Sequence, residues 1–79
     1  MNHKIDLHGL SHNQAVSKVE NELVGISLSK YWEVEIITGK SKYMKHRIIT
    51  EVLDPMKFFH YTPHTNPGVI VVVQDELLS

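Results

Sequence analysis

The first apolar pattern in the chain alternates. Across Lys4–His8, Ile5 and Leu7 fall on one side and Asp6 and His8 on the other, the period of two that predicts a strand. Gly9 breaks it. Ser11 stands three residues before Gln14, the S-x-x-Q spacing of a capping box, which predicts a helix start. Ala15, Val16, Val19, Leu23 and Ile26 then recur at helical spacing and carry that helix to about Ser29. Trp32–Thr38 (WEVEIIT) is rich in β-branched and aromatic residues and predicts a second strand, ended by Gly39. Met44, Ile48, Ile49, Val52 and Leu53 form the apolar stripe of a second helix over Lys42–Leu53. Asp54-Pro55 should end it, because the residue before a proline avoids the helical region. Lys57–Thr62 (KFFHYT) predicts a third strand and Val69–Gln74 a fourth, with PHTNPG as the turn between them.

The order is β-α-β-α-β-β. Strand–helix–strand units cross over right-handed and give parallel strands, whereas the final pair, joined by a short loop, should form an antiparallel hairpin. VIVVV is apolar on both faces, which places the last strand inside the sheet and not at its edge. The expected fold is a two-layer α/β sandwich: a four-stranded mixed sheet with two helices on one face. Seventy-nine residues make one domain, 1–79, without repeats or linkers. Hydrophobic content of 42% and charged content of 22% are ordinary for a soluble globular chain. The absence of cysteine excludes disulfide scaffolds and Cys-based zinc sites, and suits a reducing cytoplasm. The start of the chain lacks the apolar stretch of a signal peptide, and Val69–Val73 is too short to cross a bilayer, so a cytoplasmic location without membrane contact is expected.

Net charge is only -1, yet four of the eight Lys and Arg residues lie within EIITGKSKYMKHR, with no acidic residue between Glu35 and Glu51. Register gives this cluster a direction. Both parallel strands should deliver a loop into a helix start: His8-Gly9-Leu10-Ser11, then Thr38-Gly39-Lys40-Ser41-Lys42. Ligands of open α/β sheets bind at that edge. Helix starts offer free N–H groups and partial positive charge to a phosphate, and a glycine lets an anion approach the backbone. Thr38 and Ser41 add hydroxyls, Lys40 and Lys42 ammonium groups, and Lys45 with His46 lies one turn on. Two readings fit: a phosphate cradle, or a solvated basic turn. A Walker loop does not fit, since G-x-x-x-x-G-K-[ST] is absent.

Asp6 and His8, two residues apart on one side of a strand, also admit more than one reading. The carboxylate can hold the imidazole for acid–base work. The pair can share a divalent cation, or the two can simply cap a turn. The other histidines show no ligand spacing, with His60 and His64 read as surface residues, and H-E-x-x-H and G-x-S-x-G are missing. Most of the aromatics (Tyr31, Trp32, Tyr43, Phe58, Phe59, Tyr61) are expected in the core. Tyr43 is the exception, part-exposed within the basic cluster, where it can stack on a base or cover the helix start.

IDLHGLSHNQAV, 5–16, resembles the opening motif of Smr (small MutS-related) domains, L-D-L-H-G-x-x-x-x-E-A. Asp6, Leu7, His8, Gly9 and Ala15 match it, and Gln14 stands where that family often has Glu. IITGKSKYM, 36–44, resembles the second motif, apolar residues followed by [HT]-G-x-G; Thr38 and Gly39 match, and Ser41 replaces the second glycine. NPGVIVVV, 66–73, resembles the closing G-x-[IV]-x-[VI] strand. The resemblance implies a fold similar to the C-terminal domain of translation initiation factor three. It also implies nucleic-acid binding with endonuclease or nicking activity on RNA or structured DNA. The family's functional positions carry over to Asp6 and His8, and to Thr38 and Gly39. The expected site is then Asp6 and His8 as catalytic residues, with Gly9, Thr38, Gly39, Lys40, Ser41, Lys42, Lys45 and Arg47 on the phosphates. Cutting RNA through its 2′-OH needs no metal. Cutting DNA calls for an activated water and a divalent cation, Mg²⁺ or Mn²⁺, held by Asp6. The alternatives are a binding module without chemistry, for branched or single-stranded nucleic acid, and a protein–protein adaptor using Glu33 and Glu35 on the open sheet face. About five basic groups bind only weakly at physiological salt, so a homodimer or a partner protein would supplement them.

Overall fold

The computed structural model describes residues 2–29 and 31–74. The predicted order is present: β1 (Asn2–Asp6), α1 (His12–Ile26), β2 (Trp32–Ile37), α2 (Lys42–Ile48), β3 (Phe59–Tyr61) and β4 (Val69–Gln74). The sheet order is β1-β2-β4-β3. β1 runs parallel to β2, with Ile5 beside Ile36, while β4 is antiparallel to both β2 and β3. The all-apolar strand is indeed internal. Ile5, Val34, Ile36, Ile70 and Val72 point from the sheet into a core that Ala15, Val19, Leu23, Ile48 and Val52 close from the helices. Both helices therefore cover one face, and the domain has two layers. No helix among the described residues is long and apolar enough to cross a membrane.

Several ends differ from the sequence reading. β1 stops at Asp6, so His8 belongs to the turn and not to the strand. α1 ends at Ile26, where the Ser27 hydroxyl donates back to the Val24 carbonyl. The second helix does finish near Asp54, but not because that residue leaves the helical region: Asp54 sits at φ -67, ψ -47. From Ile49 to Leu53 the helix widens into a π turn, and the Asp54 N–H reaches back to the Ile49 carbonyl. The widening comes just ahead of Pro55, which has no N–H to continue the ladder. The chain actually departs at Lys57, whose φ of 61 is left-handed. There the Phe58 N–H bonds the Leu53 carbonyl and the Lys57 N–H the Asp54 carbonyl, the paired bonds of a Schellman ending. This turn takes up Lys57 and Phe58 and shortens the third strand to Phe59–Tyr61.

The aromatics also depart from expectation. Trp32 is buried, with Phe58 edge-on against it at 5.4 Å, and Tyr43 is exposed as expected, but Tyr31, Phe59 and Tyr61 are exposed too. Phe59 and Tyr61 pair with Val73 and Val71, positions that alternate away from the helices, so the pleat sends both rings to the uncovered face. Glu33 and Glu35 share that face and are half-buried.

Candidate nucleic-acid interface

The two strand-to-helix loops come from adjacent parallel strands, so they emerge side by side at one sheet edge. In the first, the Asp6 carboxylate accepts the His8 backbone N–H at 2.9 Å. Gly9 follows at φ 79, a left-handed conformation that glycine adopts without cost. The Leu10 N–H then returns to the Leu7 carbonyl. Ser11 completes the loop as helix cap. Its hydroxyl accepts from the Gln14 N–H, and the Gln14 side chain accepts from the Ser11 N–H, so the predicted capping box is complete.

The second loop repeats this plan with different fastenings. Gly39 takes the left-handed turn at φ 67, and Ser41 caps α2 by accepting the Met44 N–H at 3.1 Å. The loop is tied from outside. The N–H groups of Thr38 and Gly39 both donate to the Gly68 carbonyl, at 2.9 and 3.1 Å, and the Thr38 hydroxyl donates to the same oxygen at 3.2 Å. Lys45 Nζ reaches the Pro67 carbonyl at 3.3 Å. Gly68 lies so close that a Cβ there would stand 3.0 Å from the Gly39 carbonyl oxygen.

Two neighbouring clefts result. One, of about 430 Å³, is walled by Asp6, His8 and Gly9 on one side and by Thr38, Gly39, Lys40 and Ser41 on the other. The second, of about 540 Å³, continues past Lys40 and Ser41 to Lys42, Lys45 and the 66–68 turn. The Smr domain profile matches residues 5–72, which takes in both loops and the closing strand. The chain belongs to the Smr family. Members of that family generally bind nucleic acid, and some are nucleases. No curated protein and no solved structure matches the chain.

Within this Smr domain the sequence-predicted residues divide into three groups. Asp6, His8, Gly9, Thr38, Gly39, Lys40 and Ser41 share the first cleft, and Lys42 and Lys45 lie in its continuation. Three of these are already engaged. Thr38 is buried and gives its hydroxyl proton to Gly68, the Gly39 N–H does the same, and Lys45 holds Pro67. Ser41 accepts one bond through its oxygen and keeps its own proton to donate. Arg47 lines neither cleft. It forms an i,i+4 pair with Glu51 at 2.6 Å, which raises the guanidinium pKa and lowers that of the carboxyl through their shared hydrogen bond.

No bond joins the Asp6 carboxylate to the His8 ring among the described residues; the carboxylate serves the turn. Nor do three His, Asp or Glu side chains converge anywhere among those residues. The donors the cleft itself offers are the Asp6 carboxylate, with one oxygen already bonded to the His8 N–H, and the His8 imidazole. What the sequence reading missed is the 66–68 wall. It follows from the antiparallel pairing of β2 with β4, which puts the residues before Val69 beside those after Ile37 and which no local pattern in the sequence announces.

Proposed function

We propose that this Smr domain holds the phosphodiester backbone of a nucleic acid between its two loops and cleaves RNA there. The observation that carries this reading is the single cleft shared by His8 and by Lys40 and Ser41. A phosphate at its centre would meet the Lys40 ammonium and the Ser41 hydroxyl, with the free N–H groups of the first turn of the Lys42–Leu53 helical segment behind them. Lys42 would follow the strand outward. Thr38, Gly39 and Gly68 hold the shape of the loop and do not bind. His8 is exposed at the mouth, where its imidazole can take the proton of a ribose 2′-OH. The 2′ oxygen then attacks phosphorus and the bond from phosphorus to the 5′ oxygen breaks. A 2′,3′-cyclic phosphate remains, and the leaving 5′ oxygen takes a proton from the His8 imidazolium or from water. Lys40 offsets charge that builds on the phosphoryl oxygens. The cysteine-free composition suits this work in a reducing cytoplasm.

Labelled RNA tests this reading, incubated with the protein in Mg²⁺, in Mn²⁺ and in EDTA. Cutting that survives EDTA, stops at a 2′-deoxy substitution and is lost in His8→Ala supports it. Cutting that requires the cation, on DNA as well as RNA, would replace it with a metal-activated water. One observation favours a binding module instead: Asp6 supports the turn and leaves the His8 ring without a carboxylate to orient it. That alternative predicts salt-dependent binding that falls in Lys40→Ala/Lys42→Ala, is indifferent to His8→Ala, and is accompanied by no cleavage in any metal condition.

A further inference from the structure

One aromatic contact stands outside everything described so far. The rings of His12 and Tyr43 lie 4.7 Å apart, tilted by 59°. His12 opens α1 and Tyr43 is the second residue of α2, so the contact bridges the starts of the two helices that the loops lead into. Its neighbours in sequence line the clefts: Leu10 on one side, and Lys42, Ser41 and Met44 on the other. Tyr43 adds little to the core, for 59% of it stays exposed while adjacent Met44 is buried at 7%. No hydrogen bond to its phenol occurs among the described residues. A large ring, braced by an imidazole yet open to solvent, next to Lys42 and one helical turn before Arg47, combines the stacking surface and positive charge that bind unpaired bases.

We infer that Tyr43, braced by His12, is a stacking platform for an unpaired nucleobase next to the phosphate held by the loops. It makes the substrate a single strand or an unpaired segment and not a continuous duplex, whose bases are already stacked on one another. The inference rests on the proposed phosphate site. The other exposed aromatic pair, Phe59 and Tyr61 at 6.4 Å, does not suit this role. It lies on the uncovered sheet face in the cross-strand rows of Val73–Glu33 and Val71–Glu35, where carboxylates repel a phosphate chain.

The test is anisotropy of short labelled oligonucleotides: single-stranded RNA, the same RNA with one abasic residue, the same sequence as DNA, and a duplex. Tyr43→Ala should weaken single-strand binding roughly tenfold, the effect of losing one stacked base. Tyr43→Phe should keep most of the affinity, His12→Ala should fall between them, and Tyr61→Ala should match the unaltered protein. The abasic strand should erase the difference between Tyr43→Ala and the unaltered protein, and duplex affinity should not respond. RNA and DNA should lose the same factor, since a base and not a sugar is stacked. Equal single-strand affinity in Tyr43→Ala, or a loss confined to RNA, would overturn the platform. If Lys40→Ala/Lys42→Ala weakens binding and Tyr43→Ala does not, the platform fails and the phosphate site stands. If the unaltered protein binds none of the four, both fail.

Discussion

The loops 8–11 and 38–42 follow one plan and are secured in opposite ways. Each leaves a parallel strand, turns through a left-handed glycine and starts a helix on a serine cap. The turn of the first is closed by near neighbours, through bonds spanning two to four positions: Asp6 to His8, Leu10 to Leu7, and Ser11 to Gln14 and Ala15. Only the Leu7 N–H just before it reaches across, to the Ile37 carbonyl of the sheet. The second depends on Gly68, thirty positions away for Thr38, and on Pro67. It is also the loop that carries the cations. A self-contained turn can present a histidine, but a row of lysines that repel one another needs a fixed partner to hold its shape. The Gly68 carbonyl supplies that partner, and the Pro67 carbonyl takes up the Lys45 ammonium.

Breaking that outside fastening should have the largest effect. In Gly68→Ala the new Cβ meets backbone atoms of Gly39 at 3.0 to 3.4 Å, and neither backbone can yield without losing the shared hydrogen bonds. A destabilisation of about 1–3 kcal/mol is expected in urea unfolding. Hydrogen exchange should accelerate at Thr38 and Gly39 while Leu10 and Gln14 stay protected.

Next come the two turns themselves. Gly9→Ala and Gly39→Ala each force a Cβ into a left-handed conformation, with nothing within 4 Å of either new atom. Both should therefore lose a similar amount, about 1 kcal/mol, from backbone strain alone. A much larger loss at Gly39 would show that the second loop transmits strain to the 66–68 turn.

The serine caps should separate the loops more finely. Ser11→Ala and Ser41→Ala should each cost about 1 kcal/mol of stability, slightly more at Ser11, where the reciprocal Gln14 bond is also disturbed. Only Ser41→Ala should weaken binding of a phosphodiester strand, because only that hydroxyl lies among the lysines.

The smallest effect belongs to Arg47 and Glu51. The Glu51 carboxyl titrates below its ordinary value of 4.5 because it accepts the Arg47 guanidinium. The stabilisation is therefore complete above that ordinary value and is lost as pH falls through the lowered one. The pair is exposed, so thermal unfolding of Glu51→Gln should match the unaltered protein within error above pH 5, and any difference should vanish in acid. A larger gap at neutral pH would mean that the pair braces the helix behind the cations.

The contrast between the loops also explains what could be read in advance. Alternation, helical spacing and the S-x-x-Q box are local signals, so the strands, both helix starts and the first loop were legible. The internal position of Val69–Gln74 followed from its being apolar on both faces. Asp54 misled because the rule for the residue before a proline is a preference, and here Asp54 stays helical while the chain departs three residues later at Lys57. Phe59 and Tyr61 misled because hydrophobic character does not say which face of a strand is covered. At the site, the charge cluster was visible in sequence, but its division was not. Arg47 pairs with Glu51, Lys45 holds Pro67 and Thr38 holds Gly68, which leaves Lys40, Ser41 and Lys42 as the groups with donors to offer. The two outward ties come from pairings across the fold that no window of sequence contains.

The central claim is that both loops grip one phosphodiester. Amide chemical shifts followed by NMR during titration with an uncleavable 2′-deoxy dinucleotide test it most directly. His8, Gly9 and Lys40 to Tyr43 should shift together with one common saturation curve, and Lys40→Ala/Lys42→Ala should weaken the response at His8 and Gly9 as well. Shifts confined to one loop, or two loops saturating at different concentrations, would contradict the shared site.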